Sequence, residues 1–178
     1  MKKIAIAIVA LVVLVCVIVA GTAGGQANSE FLRIHIRADS NSDADQSVKY
    51  VVKAAVVDYL TPYLTGATTK QKAMEIVKEH LAGIKDVCDK TLAVNGKNYV
   101  STVKLCQEEF PDRAYNGVTL EAGVYDALIV ELGSGSGNNW WCVVYPPLCF
   151  VGGEGNGSGN ITYKSKLLEI IERWKNGK

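Results

Sequence analysis

The feature that most limits what this chain can fold into stands at its start, where Met1-Lys2-Lys3 runs straight into an unbroken apolar segment from Ile4 to Ala20. Basic residues followed by a hydrophobic run are the order of an export signal. A helix over this run rises ~1.5 Å per residue and spans roughly 26 Å, slightly short of the ~30 Å hydrocarbon core of a bilayer. The run is long for a cleaved signal and short for a membrane span, and both readings stay open. Small residues at Gly21, Thr22, Ala23, Gly24, Gly25 and Ala27 permit cleavage near Ala23 or Ala27. Without cleavage, residues 4–20 remain as an N-terminal anchor in the membrane. Either way Lys2 and Lys3 are expected to stay inside and the rest to be translocated. Cys16 follows Val15, where lipid attachment would need a small residue, and reads as one more apolar position.

Roughly 150 residues follow, which suits one domain with its own core. The net charge is +1, with both signs mixed along the chain. No basic stripe is present to neutralise phosphates, so no nucleic-acid partner is expected. The expected division is a signal peptide or anchor over 1–27, a folded domain over 28–151, a Gly/Ser-rich linker over 152–163 and an amphipathic helix over 164–178.

Within the domain, Phe31 to Ala38 alternates. Leu32, Ile34, Ile36 and Ala38 point one way and Phe31, Arg33, His35 and Arg37 the other, the period of a strand with one buried face. Asp39-Ser40-Asn41-Ser42-Asp43 breaks the strand and supplies helix N-cap residues. Val48, Val51, Val52, Ala55, Val56, Tyr59 and Leu60 then mark one face of a helix that Pro62 and Gly66 end. A second helix opens at Thr68-Thr69 and carries Ala73, Val77, His80, Leu81, Ile84 and Cys88 inward, making a helical hairpin. Asn95-Gly96, between Thr91–Val94 and Tyr99–Leu105, predicts a β-hairpin, because both residues tolerate positive φ. Strands are expected over Val124–Leu132 and Trp140–Tyr145, and a closing helix places Leu167, Ile170, Ile171 and Trp174 on one side. The fold class is therefore α+β: an N-terminal strand, a helical hairpin, an antiparallel β-rich half and a C-terminal amphipathic helix.

Few residues suggest chemistry. Asp39-Ser40-Asn41-Ser42-Asp43-Ala44-Asp45 imitates the opening of a calcium loop, but Ala44 stands where Gly is needed and Tyr50 where a bidentate Glu is needed. It reads as a strand end and an acidic helix start, favoured by the helix dipole. No metal or other cofactor is expected. His35 with Cys142 or Cys149 would make an exported thiol hydrolase, an alternative kept beside that of a cell-envelope structural protein. No G-x-S-x-G, H-E-x-x-H or Walker loop occurs. In Asn138-Asn139-Trp140-Trp141-Cys142 to Pro146-Pro147-Leu148-Cys149-Phe150 the adjacent tryptophans alternate sides, so one of them can anchor a protein partner.

Four cysteines outside the apolar run, Cys88, Cys106, Cys142 and Cys149, permit three pairings in an exported chain. Cys142 and Cys149 flank Pro146-Pro147, a segment able to turn back, which favours Cys142–Cys149 with Cys88–Cys106 as companion. Four free thiols remain an alternative, and zinc lacks a C-x-x-C or H-x-x-x-H spacing.

Two blocks resemble the stage II sporulation protein R family. One is Leu32-Arg33-Ile34-His35-Ile36-Arg37-Ala38-Asp39-Ser40-Asn41-Ser42-Asp43, followed by Asp45-Gln46 and Val48-Lys49. The other joins Ala122-Gly123-Val124-Tyr125-Asp126-Ala127-Leu128 to Asn139-Trp140-Trp141-Cys142 and Pro146-Pro147-Leu148-Cys149-Phe150. The resemblance covers about residues 31–151. It implies a protein made in the forespore and exported into the space between forespore and mother cell. There it would trigger a membrane-embedded aspartyl protease that processes the precursor of sigma-E, acting as a ligand and not as an enzyme. The family brings no catalytic residues to carry over. Cys88 and Cys106 lie outside both blocks, and the Gly-rich tract looks particular to this chain. The expected partner contacts are Arg33, His35 and Arg37, the loop residues Asp39, Asn41 and Asp43, and Trp140 and Trp141.

Overall fold

A computed structural model describes residues 30–115 and 118–146. The expected export signal or anchor, Asn116-Gly117, Cys149, and the stretches expected to form a Gly/Ser linker and a C-terminal helix lie outside the described residues. The chain opens with β1 (Leu32–Arg37), followed by three helices, α1 (Asp43–Leu64), α2 (Lys70–Glu79) and α3 (Leu81–Val94). Then come β2 (Ser101–Phe110), a short pair β3 (Arg113–Tyr115) and β4 (Val118–Leu120), and finally β5 (Gly123–Leu132) and β6 (Asn139–Tyr145). The α+β class holds.

β2, β5, β1 and β6 form one sheet in that order, while β3 and β4 pair with each other. The sheet is mixed: β1 runs parallel to β5 and antiparallel to β6, and β2 is antiparallel to β5. Within the β-rich half the described pairings β2–β5 and β3–β4 are antiparallel, as expected, and the parallel pair arises where the N-terminal strand β1 joins β5. The early strand β1 enters between two late strands, and the three helices form its crossover to them.

One face of the sheet meets the helices. Leu32, Ile34 and Ile36 of β1, Leu128, Val130 and Leu132 of β5, and Cys142 and Val144 of β6 pack against Val52, Val56, Leu60, Val77, Ile84, Cys88 and Leu92. Burying one such aliphatic side chain contributes about 1.5–3 kcal/mol. The alternation of β1 and the helical spacing of α1 are therefore the pattern of one shared core. Pro62 does not end α1, which continues to Leu64.

Two expectations fail in the region after Pro62. The second helix is broken at His80, whose backbone (φ −99°, ψ 5°) caps both α2 and α3. Its ring packs on Tyr63 at 3.9 Å, and its Nδ1 hydrogen-bonds the Tyr59 hydroxyl at 3.0 Å. The Asn95-Gly96 hairpin does not form either. Residues 91–94 complete α3, because Leu92 continues the four-residue spacing of Ile84 and Cys88 on the core face. Gly96, at φ +72°, ends that helix instead. Its N–H donates to Ala93 O at 3.0 Å and the Lys97 N–H to Leu92 O at 3.0 Å, the two bonds of a Schellman cap.

Candidate partner-binding face

The other face of the sheet carries the odd-numbered residues of β1. Register places His35 beside Ile129 and Trp141, Arg33 beside Ala127 and Val143, and Arg37 beside Glu131 and Asn139. Phe31, Phe110, Leu120, Tyr125, Ala127, Ile129 and Val143 make a second, smaller core here, with Tyr115 of the β3–β4 hairpin against it. The strand expected to bury one face therefore buries both.

Arg33 is 0% exposed. Its Nη2 donates to the Tyr115 hydroxyl at 2.7 Å, and its guanidinium carbon lies 4.2 Å from the Phe110 ring centre, 4.8 Å from Tyr125 and 5.7 Å from Tyr115. Nε and Nη1 have no hydrogen-bond partner among the described residues. A buried cation without a carboxylate is costly, and three aromatic faces offset part of that cost at about 0.5–2 kcal/mol each. Burial pushes the Tyr115 hydroxyl pKa up, against the lowering effect of the guanidinium.

His35 is 4% exposed and stacks on Trp141 at 5.2 Å. Its Nδ1 lies 3.2 Å from Glu108 Oε1, which assigns the ring hydrogen to Nδ1 as donor to the carboxylate. Burial holds the imidazole below its ordinary pKa despite the attraction of Glu108. Arg37, with 29% of its side chain exposed, bridges Glu108 through Nη2 and Glu131 through Nη1, the latter at 2.7 Å. Lys104 adds a second cation 3.3 Å from Glu131. The exposed Arg113 lays its guanidinium 4.5 Å over the Trp141 ring.

The expected contact residues therefore divide. Arg33, His35, Arg37 and Trp141 share this face, but Arg33 and His35 are interior, leaving Arg37 and Trp141 half-buried at its surface. Trp140 points to the helix side, where Lys53 Nζ sits 5.4 Å over its ring. Asp39 and Asn41 serve as latches. Asp39 Oδ1 accepts from Ser134 N at 2.6 Å, and Asn41 Oδ1 from Asn138 N at 2.7 Å, tying the loop after β1 to the β5–β6 loop. Asp43 is exposed in the first turn of α1.

The loop's buried hub is Asp45. It accepts from Lys97 Nζ at 2.6 Å, from the Tyr99 hydroxyl at 2.7 Å and from the Ser40 and Ser42 hydroxyls. These donors, Lys97 foremost, hold its carboxyl far below the usual range. Its place three residues after the N-cap Ser42 was the available signal. Glu108, Phe110, Arg113 and Tyr115 escaped sequence reasoning altogether, since no local spacing links them to β1.

Cys142 is disulfide-bonded; its expected partner Cys149 lies outside the described residues. The Cys88–Cys106 pair is not formed, and both thiols are free. Cys88 lies in the core on the helix side, whereas Cys106 packs with the cluster on the opposite face, so the sheet separates them. The same geometry removes the thiol hydrolase built on Cys142. That sulfur is in a disulfide and faces the helices, while His35 faces the other way.

A family model described as Stage II sporulation protein R (spore_II_R) matches residues 28–154, more than half of the chain. The curated Stage II sporulation protein R of Bacillus subtilis (strain 168) is 34% identical over 92 residues, which are 52% of this chain and 41% of the relative. The match thus spans about two fifths of that relative's length. No solved structure matches the chain. The family match covers the folded domain from before β1 to beyond β6, including both faces of the sheet, and on that ground this chain belongs to the stage II sporulation protein R family.

Proposed function

We propose that this protein is an exported sporulation signal. It crosses the forespore membrane and activates a membrane-embedded aspartyl protease of the mother cell, which then processes the sigma-E precursor. The observation that carries the reading is the family match over residues 28–154, taken with the role that the resemblance implies. The fold is compatible with a ligand's task. Its second sheet face presents Arg37, Arg113 and the half-buried Trp141 around an internally braced His35–Glu108 pair. Aromatic and arginine side chains are the usual anchors of protein interfaces. A ligand that binds the active form of its receptor about tenfold more tightly shifts the equilibrium by roughly 1.4 kcal/mol.

The test is an immunoblot of the sigma-factor precursor in the sporulating host with and without this gene. Loss of processing, restored by a forespore-expressed copy, is the expected result; normal processing without the gene would refute the reading. In the same assay Arg113→Ala and Arg37→Ala should slow processing several-fold at normal protein levels. Wild-type processing by both would move the contact surface elsewhere.

A further inference from the structure

Among the described residues the main sheet has two edges, β6 and β2. β2 is the longer, ten residues that pair along their whole length with β5 on one side and with no described strand on the other. From Thr102 to Glu109 none of its residues is buried, whereas β6 buries Cys142, Val143 and Val144 in its middle. On the helix side the same edge borders a groove lined in part by Met74, Leu81, Leu105 and Gln107. A long strand whose outer row of N–H and C=O groups is unpaired is a template for another strand. Trp141, the anchor in the proposed signalling role, is on β6 at the opposite edge.

Charged side chains usually blunt such an edge, so their spacing decides what it accepts. β2 carries one cation, Lys104, and two anions, Glu108 and Glu109. When two identical strands pair antiparallel, residues directly opposite share one hydrogen-bonding direction. The two-fold axis must then pass through a residue and not between two. An axis at Lys104 sets that lysine against its own copy, and an axis at Glu108 does the same with two carboxylates. Axes at Leu105 or Gln107 leave Lys104 opposite Cys106 or Phe110. An axis at Cys106 places Lys104 opposite Glu108 twice, with Leu105 opposite Gln107 and Val103 opposite Glu109. No like charges face each other in that register, and the strands overlap from Thr102 to Phe110. The Lys104 side chain is 49% exposed and that of Glu108 20%, so both have free surface to turn toward a neighbour.

We propose that β2 pairs antiparallel with β2 of a second copy of this chain about a two-fold axis through Cys106, joining the two four-stranded sheets into one. The axis is perpendicular to the sheet, so both helical layers lie on one side and the two β6 strands at the outer ends. The same surface serves both copies, and the contact closes as a dimer. This inference does not depend on the signalling role, so the failure of one leaves the other standing.

The test uses the full chain in mild detergent, oxidised with copper–phenanthroline. Directly opposite Cα atoms lie about 4.5–5.5 Å apart, inside the ~4.4–6.8 Å window of a disulfide. A dimer joined Cys106 to Cys106 is therefore expected, identified by peptide mapping without reduction. A thiol off the axis controls for random collision. In a Cys106→Ser/Thr102→Cys chain the position-102 thiols face Phe110 and stand roughly 27 Å apart, and the dimer yield should be at least about fivefold lower. Lys104→Glu, verified as folded by its melting curve, sets carboxylates opposite one another. It should cut the Cys106–Cys106 yield several-fold and shift sedimentation equilibrium toward the monomer. A wild-type chain that sediments only as a monomer, or a dimer joined through Cys16 alone, would overturn the proposal. So would equal yields from positions 102 and 106, or a Lys104→Glu chain that dimerises as wild type does.

Discussion

At the scale of single residues, Arg33 and His35 matter most, because both combine a polar head with near-complete burial. Among the described residues Arg33 meets three aromatic rings but no carboxylate, so its long stem and its charge act on stability in opposite senses. Arg33→Met keeps the volume and removes the unpaired cation, and should unfold within about 1 kcal/mol of wild type. Arg33→Ala leaves a cavity and should cost about 2–4 kcal/mol. Urea unfolding of the two variants measures the difference, and equal losses would show that the charge, not the packing, matters. His35 gives a pH dependence. Its folded pKa is depressed, mainly by burial, so the neutral ring is the form the fold accepts. That contribution is complete above the unfolded pKa of ~6.5 and is lost as the pH falls below it, by no more than about 1.4 kcal/mol per pH unit for one proton. Denaturation between pH 7.5 and pH 5 should show this decline in wild type and a shallower one in His35→Gln. The depressed carboxyl of Asp45 acts in the same direction but in a separate window, from its ordinary pKa near 3.8 downward.

At the scale of elements, the helices and strands were largely legible because their signals are local. The alternation from Phe31 to Ala38 became β1, and of the apolar series on α1 Val48, Val52, Val56 and Leu60 became its inner face, whereas Val51 is exposed. The misreading of Asn95-Gly96 shows the limit of a local signal. A left-handed glycine serves a hairpin turn and a helix C-cap equally well, and the choice fell to Leu92, which is buried only if the helix continues through it. Gly96 is solvent-exposed, and a Cβ there would meet nothing within 4 Å. The cost of Gly96→Ala is therefore the backbone's alone, about 1 kcal/mol. Gly96→Asn should recover part of it, since Asn tolerates this conformation better. Thermal melts of the two variants provide the check, and an Ala variant as stable as wild type would contradict the cap.

At the scale of the whole molecule, the sheet is a partition, and the cysteines report which side each strand residue faces. Cys88 lies in the helix-side core with its thiol pKa pushed up to about 12 by burial, whereas Cys106 is half-buried on the opposite face. Iodoacetamide at pH 8 should alkylate Cys106 in the native chain and reach Cys88 only after denaturation. Peptide mapping of the adducts gives the answer, and rapid native labelling of Cys88 would refute this packing. By itself the sequence determined the α+β class, the strands β1, β5 and β6, and the faces that Leu32, Ile34 and Ile36 take in β1 and Val48, Val52, Val56 and Leu60 in α1. All of these follow from periods of about two and 3.6 residues that neighbouring side chains impose. Only the tertiary structure decided that β1 lies between β5 and β6, that Arg33 and His35 are interior, and that Glu108 and Tyr115 are their partners. Those pairings join positions 73 and 82 residues apart. Contacts at such separations are set by which apolar faces meet when the sheet assembles, and no local period along the chain records that choice.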